Sequence, residues 1–369
     1  MKRHIIGFLP VILLLATRAA AQPAPRSVDG YVQSELSRQH IPGIALGVYR
    51  DGKVVMAKGY GFANVELSVP VKAETIFQSG SIGKQFAATA VMMLVEEGKM
   101  NLDDSITKYF PDAPVTWQKI KVRNLLSHTS GLSEYESDEK TKPGGPVNMR
   151  TDYTEEQFVK MIESFPPEFA PGEKWVYTNS NYVLIGAIIR KVTGRFYGDY
   201  LQERIFKPLG MTSTKVISEE DIVPNRAAGY RLVNGELKNQ EWVAPLFNTT
   251  ADGALYFNVL DLSKWDAALY TEKLIKKSSL DQMWTPVKLN DGKVNEEGYG
   301  FAWSVHSMNG HRMIEHGGSW QGFHGQIVRY VDDKLTIVVL CNLDSSHSDV
   351  ASIAHHVAGL YEPALMPRE

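Results

Sequence analysis

The sequence predicts an α+β fold: an antiparallel sheet built from both ends of the chain, flanked by helices, with a large and mostly helical region inserted between them. Three observations predict it. Near the start, two alternating apolar runs in "IALGVYRDGKVVMAKGYGFAN" meet at Asp51-Gly52, a turn that favours positive φ, and read as a hairpin. Strand signals return only in "YGFAWSV", "RMIEHGG", "GQIVRYV" and "LTIVVLCN", close to the end. From about residue 101 to about 289 the pattern is helical and loop-rich.

The elements follow in order. Met1 to Ala21 has a basic start (Lys2, Arg3), an apolar stretch and the small residues Ala19, Ala20 and Ala21, which is the pattern of a secretory signal peptide. It is too short, and too interrupted by Pro10, to span a bilayer. The expectation is an exported chain, periplasmic or secreted, with no stable membrane anchor after cleavage. Residues 22–369 then form one large domain, its sheet part at about 22–100 and 290–369 and its helical insert at about 101–289. "SVDGYVQSELSRQH" reads as an opening helix stopped by Pro42-Gly43. "NYVLIGAIIRKVTG" and "DLSKWDAALY" are helices of the insert, and a helix from about Asp349 to Leu360 closes the chain. Ser133 to Tyr153 is polar, with Pro and Gly, and reads as a long surface loop.

Composition excludes several classes. Removing the signal segment deletes Lys2, Arg3 and Arg18 and no acid, so 39 bases and 42 acids become 36 and 42, a charge of −6. Such a chain has no general attraction for nucleic acid or anionic lipid. A single cysteine, Cys341, forbids an internal disulfide, so stability rests on core burial. His306, His311 and His316 are five apart, a spacing that suits no metal template, and no His-Glu-x-x-His occurs. No metal and no cofactor is expected.

The stretch "IFQSGSIGKQFAATAVMMLVEEGK" poses the functional question, because an apolar helix begins with Ser81 and carries Lys84 one turn later. A phosphate-binding loop would need Gly where Gln78 stands and Ser or Thr where Gln85 stands; a Gly-x-Ser-x-Gly elbow would need Gly in place of Ser79. What remains is Ser-x-x-Lys. Ser105-Lys108 and Ser137-Lys140 share the spacing, but the first lies in a turn before a proline and the second in an acidic loop where its lysine would be solvated. Only Ser81 precedes a long apolar helix, which sets Ser81 and Lys84 on one face. The free amides of a helix start favour developing negative charge on Ser81, and burial disfavours the ammonium form of Lys84. Any acidic neighbour opposes the second effect. The competing account is a helix cap and a snorkelling lysine.

Two further elements accompany it. "PGEKWVYTNSNYVLIG" places Tyr177 and Asn179 on a loop entering a helix, with a cap-like Ser180-Asn181; Tyr256 and Asn258 share the spacing but sit among apolar neighbours. "IEHGGSWQGF" supplies His316-Gly317-Gly318-Ser319, where a strand through 311–316 ends in two glycines that permit close backbone approach. Strand alternation sends Glu315 and His316 to opposite faces.

Together, in this order, "SGSIGKQFAATAV", "YTN" and "HGG" resemble the serine β-lactamase and penicillin-binding-protein superfamily, in the branch of class C β-lactamases, D-Ala-D-Ala carboxypeptidases, D-aminopeptidases and β-lactamase-like esterases. "VRNLLSHTSGL" and "GYGFAW" add to the resemblance, which covers nearly the whole mature chain. It implies a β-lactamase/transpeptidase-like fold and an acyl-enzyme on Ser81, with Lys84 and Tyr177 sharing its proton. It also implies that Asn179 binds the substrate amide or orients Lys84, that His316 contacts Tyr177 and the substrate's carboxylate end, and that Ser81 and Ser319 amides form the oxyanion hole, with Gly317 and Gly318 beside them. His128, in "LLSHTSGL", falls in a segment that is a structural marker in the family. Class C β-lactamases carry Lys at position 316. A histidine there fits peptidase or esterase members better, so a small-molecule or peptide substrate is expected: an ester or a D-amino-acid peptide or amide. Hydrolysis of a β-lactam, or capture of penicillin or peptidoglycan fragments without turnover, is the alternative. The oligomeric state is left open.

Overall fold

The computed structural model describes residues 27–367, so the predicted signal segment lies outside them. Helix α1 (Val28–Gln39) opens where the Ser27 hydroxyl accepts from the Gly30 N–H at 3.2 Å, and closes on His40 in the left-handed region. Strands β1 (Gly43–Arg50) and β2 (Lys53–Asn64) turn at Asp51 (φ 53°) and Gly52 (φ 69°), as the Asp-Gly pair demands. A two-residue strand, β3 (Val69–Pro70), follows. Three helices of the insert position the site: α2 (Lys84–Glu96), α3 (Asn179–Thr193), which stops at Gly194 with φ 72°, and α4 (Val259–Ala268). Strands β4 (Ser304–Met308), β5 (His311–Trp320), β6 (Phe323–Tyr330) and β7 (Leu335–Cys341) precede α5 (Val350–Tyr361).

The seven strands form one antiparallel sheet in the order β3-β2-β1-β7-β6-β5-β4. First and last parts of the chain meet at its centre, where β1 pairs with β7 (Val48 opposite Ile337). Both faces are covered, which is why β7 reads as an apolar run from Ile337 to Cys341. Ile337, Val339 and Cys341 pack with α1 and α5, while Val338 and Leu340 face the layer containing Phe86 of α2 and Trp265 of α4. One buried ion pair joins that layer to the sheet. Arg329 Nε donates to Asp266 Oδ1 at 2.7 Å, the Thr336 hydroxyl donates to the same oxygen at 2.7 Å, and the guanidinium lies 4.6 Å from the Tyr270 ring centroid.

The α+β expectation holds, with three local differences. Strand β5 does not end at its glycines but runs through them, pairing Gly318 with Gly325 and Ser319 with His324. Residues 299–303 are not strand; β4 starts at Ser304. The insert contains strands as well, including a hairpin of 230–233 with 236–239 turning at Asn234-Gly235 (φ 53° and 79°). Among the described residues, no helix is long and apolar enough to cross a membrane.

Removing one partner of a buried pair leaves the other charge stranded. Asp266→Asn is therefore expected to lower unfolding free energy by about 3–5 kcal/mol in urea titrations followed by circular dichroism.

Candidate active site

Ser81 sits not in α2 itself but in the single 3₁₀ turn Gly80–Gly83 before it. The turn is pinned from behind: Ser79 Oγ donates to the Gly253 carbonyl at 2.8 Å and accepts from Leu255 N–H at 3.1 Å. Strand β5 lies against the same turn at backbone distance. A Cβ on Gly318 would stand 2.3 Å from the Ser79 carbonyl oxygen and 2.8 Å from the Ser81 nitrogen; one on Gly80 (φ 49°) would stand 2.3 Å from the Ser319 nitrogen. Only glycine permits this approach, and it brings the Ser81 and Ser319 amides to one place.

Lys84, the first residue of α2, is fully buried. Its Nζ donates to Asn179 Oδ1 at 2.7 Å and to the Asp252 backbone carbonyl, and stands 2.9 Å from Ser81 Oγ. The amine does not snorkel. It also lies 5.0 Å from the Tyr177 ring centroid and 5.5 Å from that of Tyr182. The Tyr177 hydroxyl is buried and makes no hydrogen bond of regular geometry. Burial pushes its pKa up, while the adjacent Lys84 charge and hydrogen bonding from Lys84 and Ser81 pull it down.

His128 supports that tyrosine. Its ring stacks on Tyr177 with centroids 4.1 Å apart, and its Nδ1 accepts from the Thr178 N–H at 3.3 Å and from Asn181 Nδ2 at 3.2 Å. An accepting Nδ1 leaves the proton on Nε2, and burial holds the ring neutral, its pKa well below the usual range. Thr178, rather than Ser180-Asn181, precedes the first turn of α3.

His316 is brought near but turned aside. Its ring centroid is 6.3 Å from that of Tyr177, yet its hydrogen bonds go elsewhere: Nδ1 donates to the Gly317 carbonyl at 2.5 Å, and Nε2 accepts from the Tyr299 hydroxyl at 2.8 Å. His316 and Tyr177 therefore meet ring to ring, while Tyr299 holds Nε2. Burial pushes the His316 pKa down to about 4, with the Gly317 carbonyl opposing and the Lys84 charge assisting. Glu315 pairs instead with His355 at 2.9 Å and with Gln326 at 2.6 Å.

The surface-loop reading of Ser133 to Tyr153 requires correction at its start, where a group of buried acids enters the site. Glu134 Oε2 accepts from the Asn179 N–H at 2.6 Å, capping α3 with a carboxylate where the helix dipole favours one. Glu136 Oε2 accepts from Asn179 Nδ2 at 2.9 Å, which fixes the amide so that Oδ1 faces Lys84. Tyr135 donates to Asp252 Oδ2 at 2.7 Å. Burial first, then the Asp252 and Glu134 charges, drive the Glu136 pKa upward. Lys140, predicted to be solvated, staples the loop by donating to Ser133 Oγ at 2.6 Å and the Glu134 carbonyl at 2.8 Å. The competing motifs resolve as structure: Ser105 caps a short turn, and Asn258 caps α4 by accepting from Asp261 N–H at 2.8 Å. Among the described residues, no group of His, Cys, Asp and Glu is arranged to hold a metal.

A core helix thus starts with a serine–lysine pair under a strand of closely packed glycines. The family model described as Beta-lactamase matches residues 28–362. The chain belongs to that family. It is 30% identical over 304 residues to penicillin-binding protein 4* of Bacillus subtilis, an alignment covering 79% of this chain and 66% of that one. It is 31% identical over 267 residues to the putative penicillin-binding protein PbpX of the same organism, covering 72% and 63%. The chain thus spans about two thirds of the length of these curated relatives. Among solved structures, the octameric penicillin-binding protein homologue from Pyrococcus abyssi matches with TM-score 0.79 and 30% identity over 90% of this chain and 76% of the other. A D-amino acid amidase from Ochrobactrum anthropi matches with TM-score 0.74 and 26% identity, over 85% and 90%.

The neutral state of His316 has a consequence for acid stability. Below about pH 6.5 the unfolded chain takes up a proton that the native histidine refuses until about pH 4, so this contribution is complete above 6.5 and is lost as pH falls towards 4. In His316→Gln, the slope of urea-unfolding free energy between pH 6 and pH 4.5 should be shallower by about 1 kcal/mol per pH unit.

Proposed function

We propose that this chain is an exported serine hydrolase that forms an acyl-enzyme on Ser81, acting on an ester or a D-amino-acid peptide or amide. The observation that carries the reading is the set of partners around Lys84 Nζ. Two of its three hydrogen-bond directions are taken by carbonyl oxygens, from Asn179 and Asp252, which accept and never donate. A neutral amine has two hydrogens and one lone pair. With both hydrogens committed, the lone pair is aimed at the Ser81 hydroxyl; in the ammonium form the third hydrogen is. A proton can therefore pass from Ser81 to Lys84 with no side-chain rearrangement, as base-assisted nucleophilic catalysis requires.

In the proposed cycle Ser81 Oγ adds to the substrate carbonyl while its proton moves to Lys84. The oxyanion is met by the Ser81 and Ser319 amides, an arrangement in which one donor is typically worth about 3–4 kcal/mol. The carbonyl re-forms as the bond to the leaving group breaks, and Tyr177, replenished from Lys84, delivers the proton to that group. Water then adds to the acyl ester with its proton drawn off through the same two residues. Collapse returns the proton to Ser81 and releases the acid. Asn179 orients Lys84, and Glu136 and Glu134 orient Asn179.

The neutral His316 supports an ester or amide substrate over a β-lactam, since it presents no fixed cation to a substrate carboxylate. The likeness to a D-amino acid amidase and, at 28% identity and TM-score 0.73, to a D-stereospecific amidohydrolase from Streptomyces sp. supports the same choice.

A fluorophosphonate probe should label the purified protein, and Ser81→Ala should abolish both labelling and turnover of p-nitrophenyl butyrate. Unaltered hydrolysis by that variant would overturn the reading. Across p-nitrophenyl butyrate, D-amino-acid amides, D-Ala-D-Ala peptides and nitrocefin, turnover should be greatest for the first two. Persistent penicillin labelling without any product would show a binder instead.

Gly318→Ala separates the oxyanion amides by forcing a Cβ against the Ser79 carbonyl. Probe labelling is expected to slow by about 10²-fold, the loss typical of one oxyanion donor. The folded fraction, followed by near-ultraviolet circular dichroism, serves as the control.

A further inference from the structure

A cavity of about 470 Å³ lies apart from the nucleophile, and none of Ser81, Lys84, Tyr177 and His316 lines it. Its basic side is legible in the stretch "QKIKVRN". Lys119, Lys121 and Arg123 alternate there with Ile120 and Val122, which are buried, so the three cations leave the core towards the same opening. Lys288 joins them from the segment that follows the helix Lys277–Met283. Among the described residues no acid lines the cavity. In a chain with more acids than bases, four cations thus gather around one opening.

The protein answers that charge only in part. Asp103 pairs with two of the four, Lys121 at 3.0 Å and Arg123 at 2.8 Å. Neither Lys119 nor Lys288 has an ion-pair partner among the described residues. The acids beside the lining residues Gln282 and Asn290 are taken: Asp281 by Lys277 at 2.6 Å, and Asp291 by Lys293 at 3.1 Å. A second observation points to a ligand at the same place. Arg123 Nη2 donates to Asp103 Oδ2 at 2.8 Å, but its Nε is buried and finds no acceptor. The opposite wall is held open by backbone. The Gly172 N–H donates to the Thr129 carbonyl at 2.8 Å, and the Asn290 N–H donates to the Gly172 carbonyl at 2.8 Å. Asn290 Nδ2 also donates to the Pro171 carbonyl at 2.9 Å.

We propose that this cavity is a second ligand site, built for a molecule that carries two linked phosphate groups. Four cations less Asp103 leave three positive charges. A phosphate brings about −1.5 to −2 near pH 7, so a diphosphate matches that excess, whereas a lone monovalent anion leaves most of it unmet. The groups present suit phosphate oxygens: a guanidinium fork from Arg123 and compact ammonium charges from the lysines. Lys119 and Lys288 give up no partner on binding, and Arg123 Nε gains the acceptor that the protein withholds. The volume falls within the range of about 300–1,000 Å³ that small-molecule sites occupy. Nothing in this assignment depends on the acyl-enzyme chemistry at Ser81.

Isothermal titration calorimetry of the full-length protein with inorganic pyrophosphate, at low salt, tests it. One site is expected, with a Kd at or below about 1 mM, and sulfate should bind at least about tenfold more weakly. Added NaCl should weaken the pyrophosphate affinity, since the cations are solvent-facing. Lys119→Glu combined with Lys288→Glu should raise the Kd by at least about tenfold. Both lysines are exposed and unpaired, so the fold is expected to survive, and near-ultraviolet circular dichroism checks it. Lys53→Glu, on β2 and outside the cavity, should bind as the wild type does. No saturable heat from pyrophosphate, equal affinity for sulfate, undiminished affinity in the folded double variant, or an equal loss in Lys53→Glu each overturns the proposal. Turnover is not read in any arm, so none of these results bears on the Ser81 reading.

Discussion

The site depends on one constraint: a lysine amine buried at the start of a core helix must satisfy all of its hydrogen-bond directions from protein. Water is excluded there, so each unmet direction would cost about 1–3 kcal/mol. The fold meets the demand by converging three separate stretches of chain on Nζ: the turn before α2, the first residue of α3 and the Asp252 carbonyl. Each depends on support of its own. Asn179 is oriented by Glu136 and anchored by Glu134, and the Asp252 backbone is held by the neighbouring Gly253 carbonyl, which accepts from Ser79. The geometry that aims Lys84 at Ser81 is thus a by-product of satisfying a buried polar group.

The sheet has a different task. Strand β5 has to lie close enough to the Ser81 turn for two backbone amides from distant parts of the chain to meet. Side chains would keep the two apart by their own bulk. Gly80 and Gly318 remove that bulk on both sides of the contact, and the pairing of Gly318 with Gly325 keeps the cross-strand position open as well. Antiparallel pairing through Ser319 then holds the strand rigid while the turn is fixed by Ser79. Precision at the site comes from backbone, which moves less than any rotamer.

What was legible in the sequence follows from how local the causes are. The hairpin at Asp51-Gly52, the Gly194 helix stop and the apolar runs of β6 and β7 are dictated by neighbours in sequence, and they read correctly. The closeness of Ser81 and Lys84 read because a polar pair at the head of an apolar helix conflicts with its surroundings unless the two meet. Glu134 and Glu136 did not read, because "SEYESDEK" looks like solvated loop; their burial is caused by Asn179, about 45 residues away. Asp252 acts through its backbone carbonyl, which no residue pattern reports. The strand at Tyr230 was different: Asn234-Gly235 carried a turn signal as plain as Asp51-Gly52, but lay inside a region whose overall pattern was helical. The rotation of His316 towards Tyr299 is likewise a tertiary fact.

The polarity of the cleft follows from the same requirement. Holding a lysine at its post takes acceptors, and the orientation of those acceptors takes carboxylates at the head of α3. Once placed, Glu134, Glu136 and Asp252 crowd around a single amine, and burial with the Asp252 and Glu134 charges pushes the Glu136 pKa up to about 8. His316 adds no positive charge beside them, since burial holds its pKa down to about 4. The charge of this part of the cleft is therefore set by how the Lys84 amine is held.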